Sequence, residues 1–217
     1  QVLYGMKTTK EVKLDMMILH GKAVNKYVRK SLVVIDMPYK TYTNKFIAYK
    51  NARKIIKSTK CDAVKLEGGK NISNIINYLV TKKIKVMGHI GLLPQTSKSF
   101  KAKGRTSYER KKILEDAISI SNAGAFAIVI ECVFENLSKI ITNKISIPTI
   151  GIGASRHCDG QILVIDDMLG LSDFSPKFVK QYTYLKKIAK KAVKNYAKDV
   201  RLRRFPFVNN IYKWINN

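Results

Sequence analysis

Two kinds of apolar pattern alternate along the chain. Continuous apolar runs, such as AFAIVIECV at 125–133, are typical of strands that are buried on both faces of a sheet. Between these runs, apolar residues recur every three or four positions, as in helices that pack on one side. The pattern predicts strands at 31–38, 63–67, 85–90, 125–133, 148–154 and 161–168, and helices at 9–28, 43–58, 72–81, 106–122, 136–143 and 175–202.

The order of these segments predicts an α/β protein. Strands that alternate with helices indicate βαβ units and a parallel sheet. Thr106 and Glu109 form a Thr-x-x-Glu capping box, and Ser175-Pro176 places a proline at the first turn of the last predicted helix. About six strands are compatible with an open doubly wound sheet or with a barrel. No Gly-x-Gly-x-x-Gly or Gly-Lys-Ser/Thr motif favours a nucleotide-binding open sheet.

Composition limits the class of protein. The chain has 217 residues, of which 46% are hydrophobic, so we expect a single domain over 1–217 with a sizeable core. No apolar run approaches the roughly 20 residues that span a bilayer, so no membrane association is expected. Cys61, Cys132 and Cys158 show neither pairing nor metal-ligand spacing. Reduced thiols and a cytoplasmic location are therefore expected.

The formal net charge of +26 raises the question of a nucleic-acid partner. Lysine is spread over nearly every segment, together with abundant Asn and Ile, and no nucleic-acid-binding motif accompanies it. We therefore expect no specific nucleic-acid binding, although a basic RNA- or DNA-binding protein remains the alternative from another functional class. The charge favours attraction of anionic substrates.

Lys65 and Glu67 are the first candidates for chemistry. Because side chains alternate along a strand, both point to the same face of VKLEGG, opposite Val64 and Leu66. One interpretation is a solvated ion pair at a strand end. The other is a buried pair, which needs partners or a ligand because unpaired buried charges are costly.

Three further polar residues lie near the carboxyl ends of other predicted strands. Asp36 precedes a proline and can simply end its strand, and His89 can be a core histidine bonded to backbone. Glu131 follows AIVI, and a buried carboxylate without a partner should protonate. In parallel α/β proteins the carboxyl ends of the strands carry the chemistry, so these residues are expected to lie close together.

Together these side chains favour proton abstraction next to a carbonyl group. Asp36 and Glu67 could hold a Mg²⁺ ion, which uses one or two carboxylates together with water and substrate oxygens. Lys65 could neutralise a developing enolate oxygen. Glu131 comes from a different strand, and its apolar setting raises its pKa, which suits a general base.

Six motifs in the chain point to one family. They are IDMP at 35–38, VKLEGG at 64–69, GHIGLLPQ at 88–95, IECV at 130–133, IGIGA at 150–154 and DGQILV at 159–164. In this order they resemble the ketopantoate hydroxymethyltransferase family, from about Leu3 to the final helix. The resemblance implies a (β/α)8 TIM barrel of the phosphoenolpyruvate mutase/isocitrate lyase type, assembled as a homo-oligomer, often a decamer.

The resemblance also implies a reaction. The family transfers a hydroxymethyl group from 5,10-methylene-tetrahydrofolate to 3-methyl-2-oxobutanoate, through a Mg²⁺-stabilised enolate. The products are 2-dehydropantoate and tetrahydrofolate, in the pathway to pantothenate and coenzyme A. Alternatives are another carbon–carbon lyase or mutase of the superfamily acting on a 2-oxo acid, and an inactive fragment.

Residue by residue, the resemblance assigns roles to four residues. Asp36 and Glu67 match metal-binding acids, Asp36 and Lys65 match substrate-binding residues, and Glu131 matches the general base. The family's Gly-Asp-Ser motif has no counterpart in the sequence and would precede Gln1. About two of the eight barrel strands are then expected to be missing from this chain.

Overall fold

Six strands form one parallel sheet in the computed structural model, which describes residues 4–97, 101–173 and 175–212. Each strand pairs with the next one along the chain, and the sheet curls as part of a barrel does. This sequential order differs from the reversed order of a doubly wound sheet. The strands are β1 (Val34–Asp36), β2 (Ala63–Glu67), β3 (Val86–Gly91), β4 (Ala127–Glu131), β5 (Thr149–Ile152) and β6 (Gly160–Gln161).

The helices follow from capping residues and apolar faces. Asn44 accepts hydrogen bonds from the backbone N–H groups of Phe46 and Ile47, both at 3.0 Å, and so begins the second helix. Ala52 and Ile55 on its inner face are fully buried. The helices are α1 (Leu14–Tyr27), α2 (Lys45–Thr59), α3 (Ser73–Thr81), α4 (Ser107–Asn122), α5 (Glu135–Lys144), α6 (Ile165–Met168) and α7 (Leu185–Arg201).

The strand predicted at 161–168 is wrong beyond its first residue. Ladder pairing ends at Gln161, and Ile165–Met168 forms the short helix α6. Asp166 and Asp167 explain the difference, because aspartate is disfavoured in strands and stabilises the first turn of a helix.

The predicted start of the last helix at Ser175 is also wrong, since α7 begins at Leu185. The intervening backbone bonds elsewhere: the N–H of Tyr182 donates to the carbonyl of Met168, and the N–H of Leu185 donates to that of Leu169, each at 2.9 Å. These tertiary bonds replace the helical ones, which the local sequence could not reveal.

Two compact units divide the chain by their internal contacts, Gln1–Ile162 and Leu163–Asn217. The sheet belongs to the first unit, and α6 and α7 belong to the second. The expected single domain over 1–217 stays a prediction. In the ranges that the structure describes, no helix has both the length and the apolar character needed to cross a membrane.

The alternation of side chains gives the sheet two different faces. Val64 and Leu66 of β2 and Ile130 of β4 are fully buried in the core that the sheet shares with the helices. Burial of each such side chain contributes about 1.5–3 kcal/mol. The residues between them point to the opposite face, where the polar side chains meet.

Candidate active site

Five polar side chains from four neighbouring strands lie on one face of the sheet. Strand register places Asp36 beside Lys65 and Glu67 beside His89, while Glu131 at the end of β4 pairs with Gly91 of β3. The structure thus brings together the four site residues predicted from the sequence. Their assigned roles stay predictions at this point.

Lys65 is the centre of this cluster. Its Nζ forms an ion pair with Oδ1 of Asp36 and lies 3.0 Å from Nδ1 of His89 and 3.9 Å from Oε1 of Glu67. Only 15% of the side chain is exposed. The pair is therefore not the solvated strand end that the sequence left open, because Lys65 shares its charge among three partners in a sheltered position.

Glu67 is held by hydrogen bonds to two residues that sequence reasoning missed. The backbone N–H of Gln95 donates to Oε2 of Glu67 at 3.0 Å, and its side-chain amide donates to the carbonyl of Met37 at 2.9 Å. The hydroxyl of Tyr42 donates to Oε1 of Gln95 at 2.8 Å and accepts the backbone N–H of Glu67 at 3.3 Å. Gln95 is the last residue of the GHIGLLPQ motif, but nothing in the sequence singles out Tyr42.

Burial dominates the protonation of both glutamates. It raises the pKa of Glu67 to about 7, while the Lys65 ammonium and the N–H of Gln95 act in the opposite direction. It likewise raises the pKa of Glu131 to about 7, again opposed by Lys65. A carboxylate with a pKa near neutrality is well matched to take up a proton and release it at neutral pH.

The end of β4 has an unusual backbone that fixes Glu131. Cys132 adopts a left-handed φ of 50°, and Gly91 beside it has a φ of 90°. A Cβ on Gly91 would lie 2.3 Å from the carbonyl oxygen of Glu131, which also accepts the N–H of Leu92 at 2.8 Å. Only glycine allows this close approach at position 91.

The side chains present at the site determine whether it suits the expected Mg²⁺ ion. Among residues 4–97, 101–173 and 175–212, no group of three or more His, Cys, Asp or Glu side chains has the arrangement of a metal site. Asp36 and Glu67 nevertheless each place a carboxylate oxygen within ion-pair distance of the same Nζ of Lys65. Two carboxylates fit Mg²⁺, which takes its remaining ligands from water and substrate.

Removal of the Tyr42 hydroxyl tests whether its hydrogen bonds to Gln95 and to the backbone of Glu67 stabilise the site. We expect Tyr42→Phe to lower the free energy of unfolding by about 1–3 kcal/mol, because Gln95 and the N–H of Glu67 lose a buried partner. Urea denaturation measures this loss. The control is Tyr27→Phe, since Tyr27 is 74% exposed, and it should stay within about 0.5 kcal/mol of the parent. Equal stability of the two variants would show that the hydrogen bonds of the Tyr42 hydroxyl do not stabilise the site.

Comparison with known proteins decides the family. The family model described as ketopantoate hydroxymethyltransferase matches residues 1–207. The chain belongs to the ketopantoate hydroxymethyltransferase family. It is therefore an enzyme, a hydroxymethyltransferase, and the resemblance inferred from the six motifs is confirmed.

Curated members of this family are similar over nearly the whole chain. The 3-methyl-2-oxobutanoate hydroxymethyltransferase of Pelagibacter ubique (strain HTCC1062) is 51% identical over 211 residues, which is 97% of this chain and 82% of that protein. The enzyme of the same name from Phenylobacterium zucineum (strain HLK1) is 52% identical over 215 residues, covering 97% of this chain and 78% of its own.

A solved structure shows the same fold at much lower identity. A candidate phosphonomutase from Burkholderia cenocepacia J2315 matches with a TM-score of 0.53 and 9% identity, over 88% of this chain and 76% of its own. At this identity the likeness concerns the α/β fold alone.

Proposed function

We propose that this hydroxymethyltransferase forms 2-dehydropantoate from 3-methyl-2-oxobutanoate, with 5,10-methylene-tetrahydrofolate as the one-carbon donor. The observation that carries the proposal is the convergence of Glu131 and Lys65, from β4 and β2, on the two sides of His89. A base and a cation on one face of a sheet are the groups that proton removal next to a carbonyl requires. The curated relatives carry the name of this activity.

The chain's own residues divide the reaction between them. Glu131 takes the proton from C3 of the oxo acid, and the electrons of the C–H bond move toward the carbonyl oxygen. Lys65 stabilises the charge that develops on that oxygen, and Asp36, its ion-pair partner, contacts the same substrate. C3 then bonds to the one-carbon unit, both carbon–nitrogen bonds of that unit break in the course of the transfer, and water supplies the hydroxyl group. The remaining proton of water and the proton taken up by Glu131 end on the two nitrogens of tetrahydrofolate, which leaves.

Asp36 and Glu67 are the residues that would hold Mg²⁺. The ion, when bound, polarises the carbonyl and carboxylate oxygens of the oxo acid. The backbone N–H of Gln95 holds the carboxylate of Glu67 in place for this purpose, and Tyr42 holds the side chain of Gln95 and the backbone N–H of Glu67. A chelator should therefore abolish turnover, and added Mg²⁺ should restore it.

The proposal also covers the type of barrel and the oligomeric state of the chain. The six-stranded sheet forms the greater part of a (β/α)8 barrel of the phosphoenolpyruvate mutase/isocitrate lyase type. The chain assembles as a homo-oligomer, as large as a decamer, in the cytoplasm. Support for assembly comes from α7, in which none of the residues is buried and an apolar stripe is exposed: Leu185, Ile188, Val193, Tyr196 and Val200.

Product analysis tests the proposed reaction. The purified chain is incubated with Mg²⁺, 3-methyl-2-oxobutanoate and methylene-tetrahydrofolate, and 2-dehydropantoate is measured by mass spectrometry. Its formation supports the proposal. Cleavage or rearrangement of the oxo acid without the folate donor would instead indicate a lyase or mutase, and no reaction under any condition would contradict an active hydroxymethyltransferase.

The pH dependence of turnover follows from Glu131. Its pKa is raised from an ordinary value of 4.5 to about 7, and the base works only as a carboxylate. We therefore expect kcat/KM to rise about tenfold per pH unit below pH 7 and to level off above it. Steady-state rates from pH 5 to 9 at saturating Mg²⁺ measure this profile, and a rate that stays constant down to about pH 5 would contradict the raised pKa.

A further inference from the structure

His89 lies between the two groups on which the proposed reaction depends. Its side chain is buried, with 3% of the residue exposed. Nδ1 is 3.0 Å from Nζ of Lys65, and Nε2 is 3.1 Å from Oε2 of Glu131. The sequence allowed an ordinary core histidine at this position, whereas the structure turns both ring nitrogens toward the site.

The contact with Lys65 decides where the imidazole proton lies. An ammonium group can only donate, so Nδ1 must accept, and the single proton of a neutral ring then belongs to Nε2. Burial, together with the nearby Lys65 charge, lowers the pKa of His89 to about 3, which keeps the ring neutral. Nε2–H therefore faces Glu131 as a donor.

This donor is not yet satisfied. Among the described residues, Nε2 of His89 has no hydrogen bond of acceptable angle, although Oε2 of Glu131 is within hydrogen-bond distance. Buried polar groups without a partner are rare and costly. Catalytic hydrogen bonds are often poorly aligned in a free enzyme and become aligned when substrate binds.

We propose that His89 is a positioning residue whose Nε2–H holds Oε2 of Glu131, so that Oε1 is presented to the substrate proton. This proposal rests on the proposed function, because it takes Glu131 as the base. Lys65 has a second task in this arrangement, since its bond to Nδ1 selects the ring tautomer that can donate. A carboxylate with one oxygen fixed keeps the other in the orientation that proton transfer needs.

Two substitutions at position 89 separate the two ring nitrogens. The amide nitrogen of glutamine can reach the place of Nε2, so His89→Gln keeps a donor for Glu131. The shorter asparagine reaches only the place of Nδ1, so His89→Asn keeps an acceptor for Lys65 but loses that donor. We expect kcat within about fivefold of the parent for His89→Gln and a fall of about 10- to 100-fold for His89→Asn.

The kinetic pattern distinguishes positioning from a structural role. KM for the oxo acid should change less than about threefold in His89→Asn, because this variant keeps the acceptor for Lys65 and Glu131 is not required to bind the oxo acid. An equal fall of kcat in the two variants, or a rise of KM with kcat unchanged, would overturn the proposal. Urea denaturation of both variants identifies any loss that comes from unfolding.

A spectroscopic test does not depend on turnover. The chain has only three histidines, so ¹⁵N NMR resolves their rings, and His89→Gln assigns the signal. We expect a neutral ring protonated at Nε2, with a resonance that moves in Glu131→Gln but not in Glu115→Gln, where residue 115 is exposed. A ring protonated at Nδ1, or a resonance that does not move in Glu131→Gln, would refute the contact between Nε2 of His89 and Glu131. Absence of turnover in the parent would refute the proposed function instead, and the NMR result would still decide the role of His89.

Discussion

Replacing Glu131 with glutamine is expected to lower kcat by about 10³-fold. Glutamine keeps the size and the hydrogen-bonding capacity of the side chain, but it cannot accept the C3 proton. The fold should be retained, because Glu131 ends β4 with its side chain 15% exposed and its strand bonds are made by the backbone. Steady-state turnover with both substrates measures the effect.

A matched control separates the loss of the base from the loss of a charge. Glu115→Gln makes the same substitution at an exposed position of α4 and should leave kcat unchanged within about twofold. Near-parental turnover in Glu131→Gln would show that another group accepts the proton. A fall of the same size in Glu115→Gln would show that the assay reports net charge rather than the base.

Lys65→Met is expected to lower kcat/KM for the oxo acid by about 10³-fold, through both KM and kcat. The variant removes the only cation in contact with Asp36, Glu67 and His89 among the contacts that the described residues make. Because the ammonium lowers the pKa of Glu131, its removal should also raise that pKa further. The rise of kcat/KM with pH should then shift to higher pH.

Kinetics across pH 5–9 test this prediction. Lys85→Met is the control, since residue 85 is an exposed lysine just before β3, and its kcat/KM should match that of the parent. A Lys65→Met variant with a normal pH profile and a normal KM would mean that Lys65 serves only the fold. The charge loss is equal in the two variants, so any difference between them arises from the cluster.

The sheet could be predicted largely from the sequence, because its strands are buried on both faces. Runs such as 125–133 contain the strand Ala127–Glu131 and leave no helical alternative of comparable apolar periodicity. The pattern failed where tertiary bonds decide the backbone. Residues 175–184 contain turn and aromatic residues, and the N–H of Tyr182 bonds to Met168 of α6 while the N–H of Leu185 bonds to Leu169. The helix α7 therefore begins only at Leu185.

The cluster could be located in advance because strand alternation is strict. Lys65 and Glu67 must share a face, and parallel register then aligns them with Asp36 and His89. The hydrogen bonds of Tyr42 to Gln95 and to the backbone of Glu67 could not be predicted from the sequence. Tyr42 contacts Gln95 across 53 positions of sequence, and no local pattern encodes such a contact. The donor role of His89 likewise depends on Nδ1 facing Lys65 and Nε2 facing Glu131, and only the three-dimensional structure shows this orientation.

Hydrogen exchange at C3 of 3-methyl-2-oxobutanoate tests the central claim most directly. The oxo acid and the enzyme are mixed in D₂O with Mg²⁺ and without folate, and loss of the C3 proton signal is followed by NMR. Proton abstraction by Glu131 predicts exchange that the parent and Glu115→Gln catalyse at similar rates, and that Glu131→Gln slows by about 10³-fold. Exchange at the parental rate in Glu131→Gln would contradict the account.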